Sequence, residues 1–69
     1  MDEADDSRMS RAGFRLYTRV VPVTGKEKET RESVSNEARN LQIMVGEGTI
    51  KGYAVIPREY GGCNLYTLI

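Results

Sequence analysis

Apolar and polar positions alternate from Phe14 onward: Phe14, Leu16, Thr18 and Val20 on one side, Arg15, Tyr17, Arg19 and Val21 on the other. A period of two is the mark of a strand with one buried face, so a strand is expected to begin near Gly13, with its outward face basic and aromatic. Pro22 and the Thr24-Gly25 pair end it, because proline has no ladder donor and glycine tolerates turn geometry. After a charged connection, Lys26-Glu27-Lys28-Glu29, the period changes. Val34, Ala38 and Leu41, followed by Met44 or Val45, fall three and four apart and make one stripe, which predicts a helix from about Thr30 to about Gln42. Opposite charges at i, i+4, Glu27 with Arg31 and Lys28 with Glu32, add a few tenths of a kcal/mol each if the helix reaches back that far. Leu41 to Val45 also reads as a short strand that Gly46-Glu47-Gly48 could fold back onto Thr49.

Two strands follow. Thr49 to Ile56 is the first, the "PREYGG" segment with Pro57 and Gly61-Gly62 is a turn, and Cys63 to Ile69 runs back beside it. The expected fold is therefore α+β: a small two-layer domain with one helix packed on a three- or four-stranded antiparallel sheet, in the order β-α-β-β. That arrangement buries the helical stripe against one sheet face. It spans residues 13–69, with residues 1–12 as a flexible acidic N-terminal tail. The last strand is apolar on both faces, with Leu65 and Ile69 pointing one way and Tyr66 and Leu68 the other. Either the N-terminal segment or a partner has to cover the second face, and as the last element the strand is expected at a sheet edge.

Composition narrows the chemistry. At 69 residues the chain has room for one small core and sits near the limit of independent stability. Its one cysteine, Cys63, cannot close an intramolecular disulfide, and there is no histidine to complete a zinc site or a catalytic triad. No catalytic residue, metal ligand or cofactor is read from the chain, and Cys63 has no neighbouring base to activate its thiol. The longest aliphatic run is Ala54-Val55-Ile56, far short of the roughly 20 residues that cross a bilayer, so no membrane association is expected. The first seven residues hold four acids and no base where an export leader would be basic and then apolar. With a single free thiol, the expected location is the cytoplasm, of the host cell if the gene is viral.

The formal charge of zero hides a gradient: residues 8–69 carry ten bases against six acids, a net of +4. An acidic tail beside a basic body is a solvated terminus or an internal screen against an anionic partner. Lys51-Gly52-Tyr53-Ala54-Val55-Ile56 resembles the front of the RNA-recognition-motif signature over those six residues. The likeness stops at Pro57 and Arg58, with Val55 where that signature has an aromatic and too little chain left for its second helix and last strand. The family is not carried over.

Two function classes stand. The leading one is a non-enzymatic module that binds a protein partner, itself included as a homo-oligomer, of the size of small phage-type regulators and inhibitors of host machines. Its contact residues would be Tyr53, Tyr60, Leu65, Tyr66, Leu68 and Ile69. The alternative is single-stranded nucleic-acid binding, with Arg15, Tyr17, Arg19, Lys51 and Tyr53 stacking bases and holding phosphates on one sheet face.

Overall fold

The computed structural model describes residues 2–69, with side chains from Asp6 onward. The chain is a small α+β domain. Helix α1 spans Asp2–Arg11, strand β1 Phe14–Val20, helix α2 Glu27–Glu47, strand β2 Gly52–Pro57, a single 3-10 turn Glu59–Gly61 and strand β3 Cys63–Leu68. No helix among the described residues is long and apolar enough to cross a membrane.

The helix expected over 30–42 is longer at both ends. Its first turn begins at Glu27 because Glu27 and Glu29 lie where the helix dipole favours acids, and the Glu27 carboxylate accepts the Gly25 N–H at 3.1 Å. It runs through Leu41 to Val45, so the competing strand there does not form. Leu41 and Met44 continue the stripe, with Leu41 fully buried and Met44 packed on the core. Gly48 then stops the helix in the left-handed conformation, its N–H on Val45 O and the Thr49 N–H on Met44 O at 3.0 and 2.9 Å. Paired bonds of this kind satisfy the last carbonyls, and glycine takes the positive φ without a Cβ clash.

The sheet is antiparallel in the order β1-β3-β2. β3 is thus the central strand, and the edge expected for it belongs to β1 and β2 instead. Thr18, Val20, Cys63, Leu65, Thr67, Tyr53 and Val55 share the face under α2, where the core of Leu41, Ile50, Cys63 and Leu65 sits. Removing Leu41 and Leu65 completely from water stabilises the fold by roughly 1.5–3 kcal/mol each.

The opposite face carries Phe14, Leu16, Arg19, Asn64, Tyr66, Leu68, Ala54 and Ile56. Here α1 supplies the cover that the helix-and-sheet pattern lacked. The Tyr66 hydroxyl donates to Asp6 at 2.5 Å, and Tyr66 is only 1% exposed. Helix α1 lies in the segment expected as a flexible acidic N-terminal tail, residues 1–12, of which Met1 lies outside the described residues.

One further departure decides the faces. β1 is in register with β3 as Leu16 opposite Tyr66 and then Thr18 opposite Leu65, leaving Tyr17 as the extra residue of a β-bulge. Past the bulge the alternation is inverted. Arg19, which strict period two puts with Arg15, sits on the other side of the sheet.

Candidate interaction surface at the Tyr60 corner

β2 ends at Pro57, and the chain turns back into β3 within five residues. The turn is closed by the Arg58 N–H on Gly62 O at 2.7 Å and the Gly62 N–H on Glu59 O at 3.2 Å. Such tightness needs two residues at positive φ, and they are Tyr60 (φ 59°) and Gly61 (φ 83°). Among the described residues Tyr60 is the one non-glycine in that region. A Cβ-bearing residue held there is strained by about 1–2 kcal/mol. A Cβ on Gly62 would stand 2.6 Å from both Pro22 Cδ and Val20 O, so only glycine lets the turn lie directly on the exit of β1.

This contact puts Tyr60 beside Val21-Pro22-Val23. The tyrosine is 84% exposed, Val21 71% and Val23 53%. Tyr60 stands as a ridge between two grooves. One, of about 540 Å³, is lined by Pro22, Val23, Thr24, Glu27, Arg31 and Gly61 as well as Tyr60. The other, of about 240 Å³, runs past Val21, Pro22, Arg58, Glu59 and Asn64. The corner thus presents an exposed aromatic and two exposed β-branched side chains within a rim of arginine and glutamate.

The other residues expected to contact a partner are dispersed. Leu65 is enclosed under α2, and Tyr66 is enclosed on the α1 side. Tyr53 packs against the core, and Leu68 is half-buried at the Phe14 end of the sheet. Ile69 is exposed, but it follows Leu68 and so lies at the opposite end from Tyr60. Only Tyr60 joins the corner. Burial of Leu65 and Tyr66 follows from the central position of β3, which places a helix over each of its faces.

The basic and aromatic residues are dispersed too. Arg15 and Tyr53 both pair with Thr67, on either side of β3, while Tyr17 occupies the bulge and Lys51 precedes β2. Arg19 lies on the far face, where its guanidinium pairs with Asp6 at 2.5 Å. The single face imagined for bases and phosphates is therefore not assembled. β1 and β2 are not neighbours, and the bulge turns Arg19 away.

Asp6 is held below the usual aspartate range, first by its hydrogen bond from Arg19 and then by that from Tyr66. Burial, followed by the Asp6 contact, pushes the Tyr66 hydroxyl above the ordinary tyrosine value. Burial likewise raises the Cys63 thiol, a member of the core that is 3% exposed, which disfavours the thiolate.

Val21, expected on the outward face of the first strand, lies one residue past its end, and Pro22 stops the ladder as expected. Val23 follows that proline outside any periodic pattern, and a β-branched residue in that place is the signal that marks the corner in the sequence. Comparison with family models, with curated proteins and with solved structures finds no match to this chain.

Proposed function

We propose that this chain is a non-enzymatic interaction module that binds a protein partner through the Tyr60 corner, in the cytoplasm, in the manner of a small regulator or inhibitor. The observation that carries the reading is Tyr60 itself: a left-handed tyrosine with 84% of its surface in water. Folding gains little from an exposed ring, and the left-handed backbone costs stability. The closure of the turn holds this strain in place, and strained residues of this kind cluster at sites that engage a ligand or partner. Tyrosine is also, with tryptophan and arginine, among the residue types enriched at interface hot spots, because it offers a large rigid area at low entropic cost. Val21 and Val23 would surround it as the apolar part of the contact, and Arg31, Glu27, Arg58 and Glu59 as its polar rim.

The test is site-specific crosslinking. A photoreactive benzoylphenylalanine is placed at position 60, or at position 43 as a control on the exposed outer side of α2, in chains expressed in the cell of origin. A discrete protein adduct from position 60 but not from position 43 is expected, and it is lost when Val21 and Val23 are changed to serine. No adduct, or the same adducts from both positions, overturns the reading. Micromolar binding of a fluorescent single-stranded oligonucleotide with a clear salt slope favours the nucleic-acid alternative instead.

A further inference from the structure

The groove of about 240 Å³ beside Tyr60 does not end at the corner. Its walls continue to Arg19 and Asn64, which face one another across β1 and β3 on the α1 side of the sheet. There a set of donors converges on one carboxylate. The Arg19 guanidinium donates to both oxygens of Asp6, at 3.5 Å to Oδ1 and 2.5 Å to Oδ2, and the Tyr66 hydroxyl donates to Oδ1 at 2.5 Å. Behind them the Asn64 Nδ2 donates to the Tyr66 oxygen at 3.4 Å, which leaves the hydroxyl proton to point away from it. Tyr66 and Asn64 are almost wholly buried. Two paired strands thus build an anion site from a guanidinium and an oriented hydroxyl, and donors held this way need an acceptor whether or not α1 supplies it. Arg19 keeps 30% of its side chain in water, which gives a competing carboxylate a way in.

The present occupant is loosely built. α1 lies against β1. Its apolar side chains, Ala4 and Met9, are five residues apart and make no stripe. From Asp6 on, Asp6 and Met9 are half-buried, whereas Ser7, Arg8, Ser10 and Arg11 are exposed. A helix shorter than about 12–15 residues is marginal in water on its own, so helix and contact form together around Asp6. Ala12 and Gly13 join it to β1, and this short tether keeps an undocked α1 close to the site as a local competitor.

We propose that α1 is an internal stand-in for the partner: the site formed by Arg19, Tyr66 and Asn64 receives an acidic side chain of the bound protein, and Asp6 holds that place until the partner displaces it. The inference rests on the reading that a protein binds at the Tyr60 corner. To that reading it adds the chemistry of the partner, an acidic segment that reaches down the groove past Val21 and Pro22, and a regulation of its binding. Asp2, Glu3, Asp5 and Asp6, set beside a body of net charge +4, have the sign such a screen requires. A carboxylate from outside gains Arg19 only when Asp6 gives it up, so docked α1 lowers the partner's apparent affinity in proportion to the time the site is filled.

The probe is the chain's own acidic segment, a peptide of residues 1–11 added to the full-length, isotope-labelled chain and followed by NMR at the Arg19 Nε–H and Asn64 Nδ2 signals, with the α2 signals as a check of folding. In the wild type the site is filled and the peptide binds weakly. Asp6→Asn in the chain raises its affinity by about tenfold, Met9→Ser raises it by a smaller factor with the carboxylate kept, and Arg19→Gln added to either variant abolishes it. Should Asp6→Asn fail to fold, Met9→Ser carries the comparison. Equal affinity for the wild type and the variants, binding that survives Arg19→Gln, or no binding to any of them overturns the inference. So does equally tight binding of inorganic phosphate, which would mark a general anion site. Crosslinking separates the two readings. An adduct at position 60 whose yield Asp6→Asn leaves unchanged defeats the competition alone, whereas no adduct at position 60 with the peptide results intact defeats the functional reading alone.

Discussion

Replacing Tyr60 with glycine separates what the residue does for the fold from what it does for contact. The backbone at φ 59° costs a Cβ-bearing residue roughly 1–2 kcal/mol, and glycine is relieved of that. Against this, glycine has more conformational freedom to lose on folding, about 0.5–1 kcal/mol. With 84% of the residue exposed, removing the ring forfeits only a few tenths of a kcal/mol of burial. Tyr60→Gly should therefore be as stable as the wild type or more so, by up to about 1 kcal/mol, which in a domain this small is a rise of a few degrees in Tm. Tyr60→Ala keeps the strain and loses the ring, so it should fall below the glycine variant by about 1 kcal/mol. Urea unfolding followed by circular dichroism measures both, and the comparison of glycine with alanine isolates the backbone contribution. Partner capture from position 21 or 23 should be lost in both variants. A glycine variant less stable than the alanine one, or more than about 1 kcal/mol below the wild type, would refute the reasoning, because the ring would then be holding the corner together.

Gly62→Ala should cost about 1–3 kcal/mol in the same urea experiment. Its φ of −74° suits alanine, so the loss would come from the added methyl against Pro22 and Val20 O, and a change of only a few tenths would mean that the corner gives way easily. The contact between α1 and the sheet should be acid-sensitive. Because the folded-state pKa of Asp6 is depressed, its stabilising effect is complete above the value of an unfolded aspartate and is lost as pH falls through the lower folded one. Hydrogen exchange should show α1 loosening in that window, and Asp6→Asn should remove the dependence; a helix whose protection ignores pH in the wild type would contradict this. Tyr66 has the opposite sense. Its folded-state pKa is raised, so its contribution is complete below the ordinary tyrosine value and is lost as pH rises through the higher folded one, and Tyr66→Phe should abolish that alkaline limb at a cost of about 1 kcal/mol.

Much of the architecture was legible because it is written in local periods. The alternation after Gly13, the stripe through Val34, Ala38 and Leu41, and the two strands parted by "PREYGG" each depend on neighbours within a few residues, and each became an element. Gly48 is a similar case, since a glycine after a helical stripe is a cap wherever the helix goes. Tyr60 was legible as an aromatic in a turn but not as a strained one, because its positive φ is imposed by the closure of the turn on Pro22.

Three features had no local signal, and each rearranged the site. The bulge at Tyr17 lies inside an uninterrupted alternation, and it exists because β3 needs one residue fewer than β1 offers; with it Arg19 changed faces. The order β1-β3-β2 is a pairing of segments more than forty residues apart in the case of Phe14 and Leu68, and it put Leu65 and Tyr66 in the interior. Helix α1 has no apolar stripe, and what ties it to the sheet is the meeting of Asp6 with Arg19 and Tyr66 across 13 and 60 residues of chain. The sequence alone therefore determined which segments became most of the strands and the long helix, since hydrophobic periodicity is a property of adjacent residues. Which faces met, which strand lay at the centre and which tyrosine stayed in water were decided only in the tertiary structure, where each side chain's burial depends on residues its own neighbourhood does not contain.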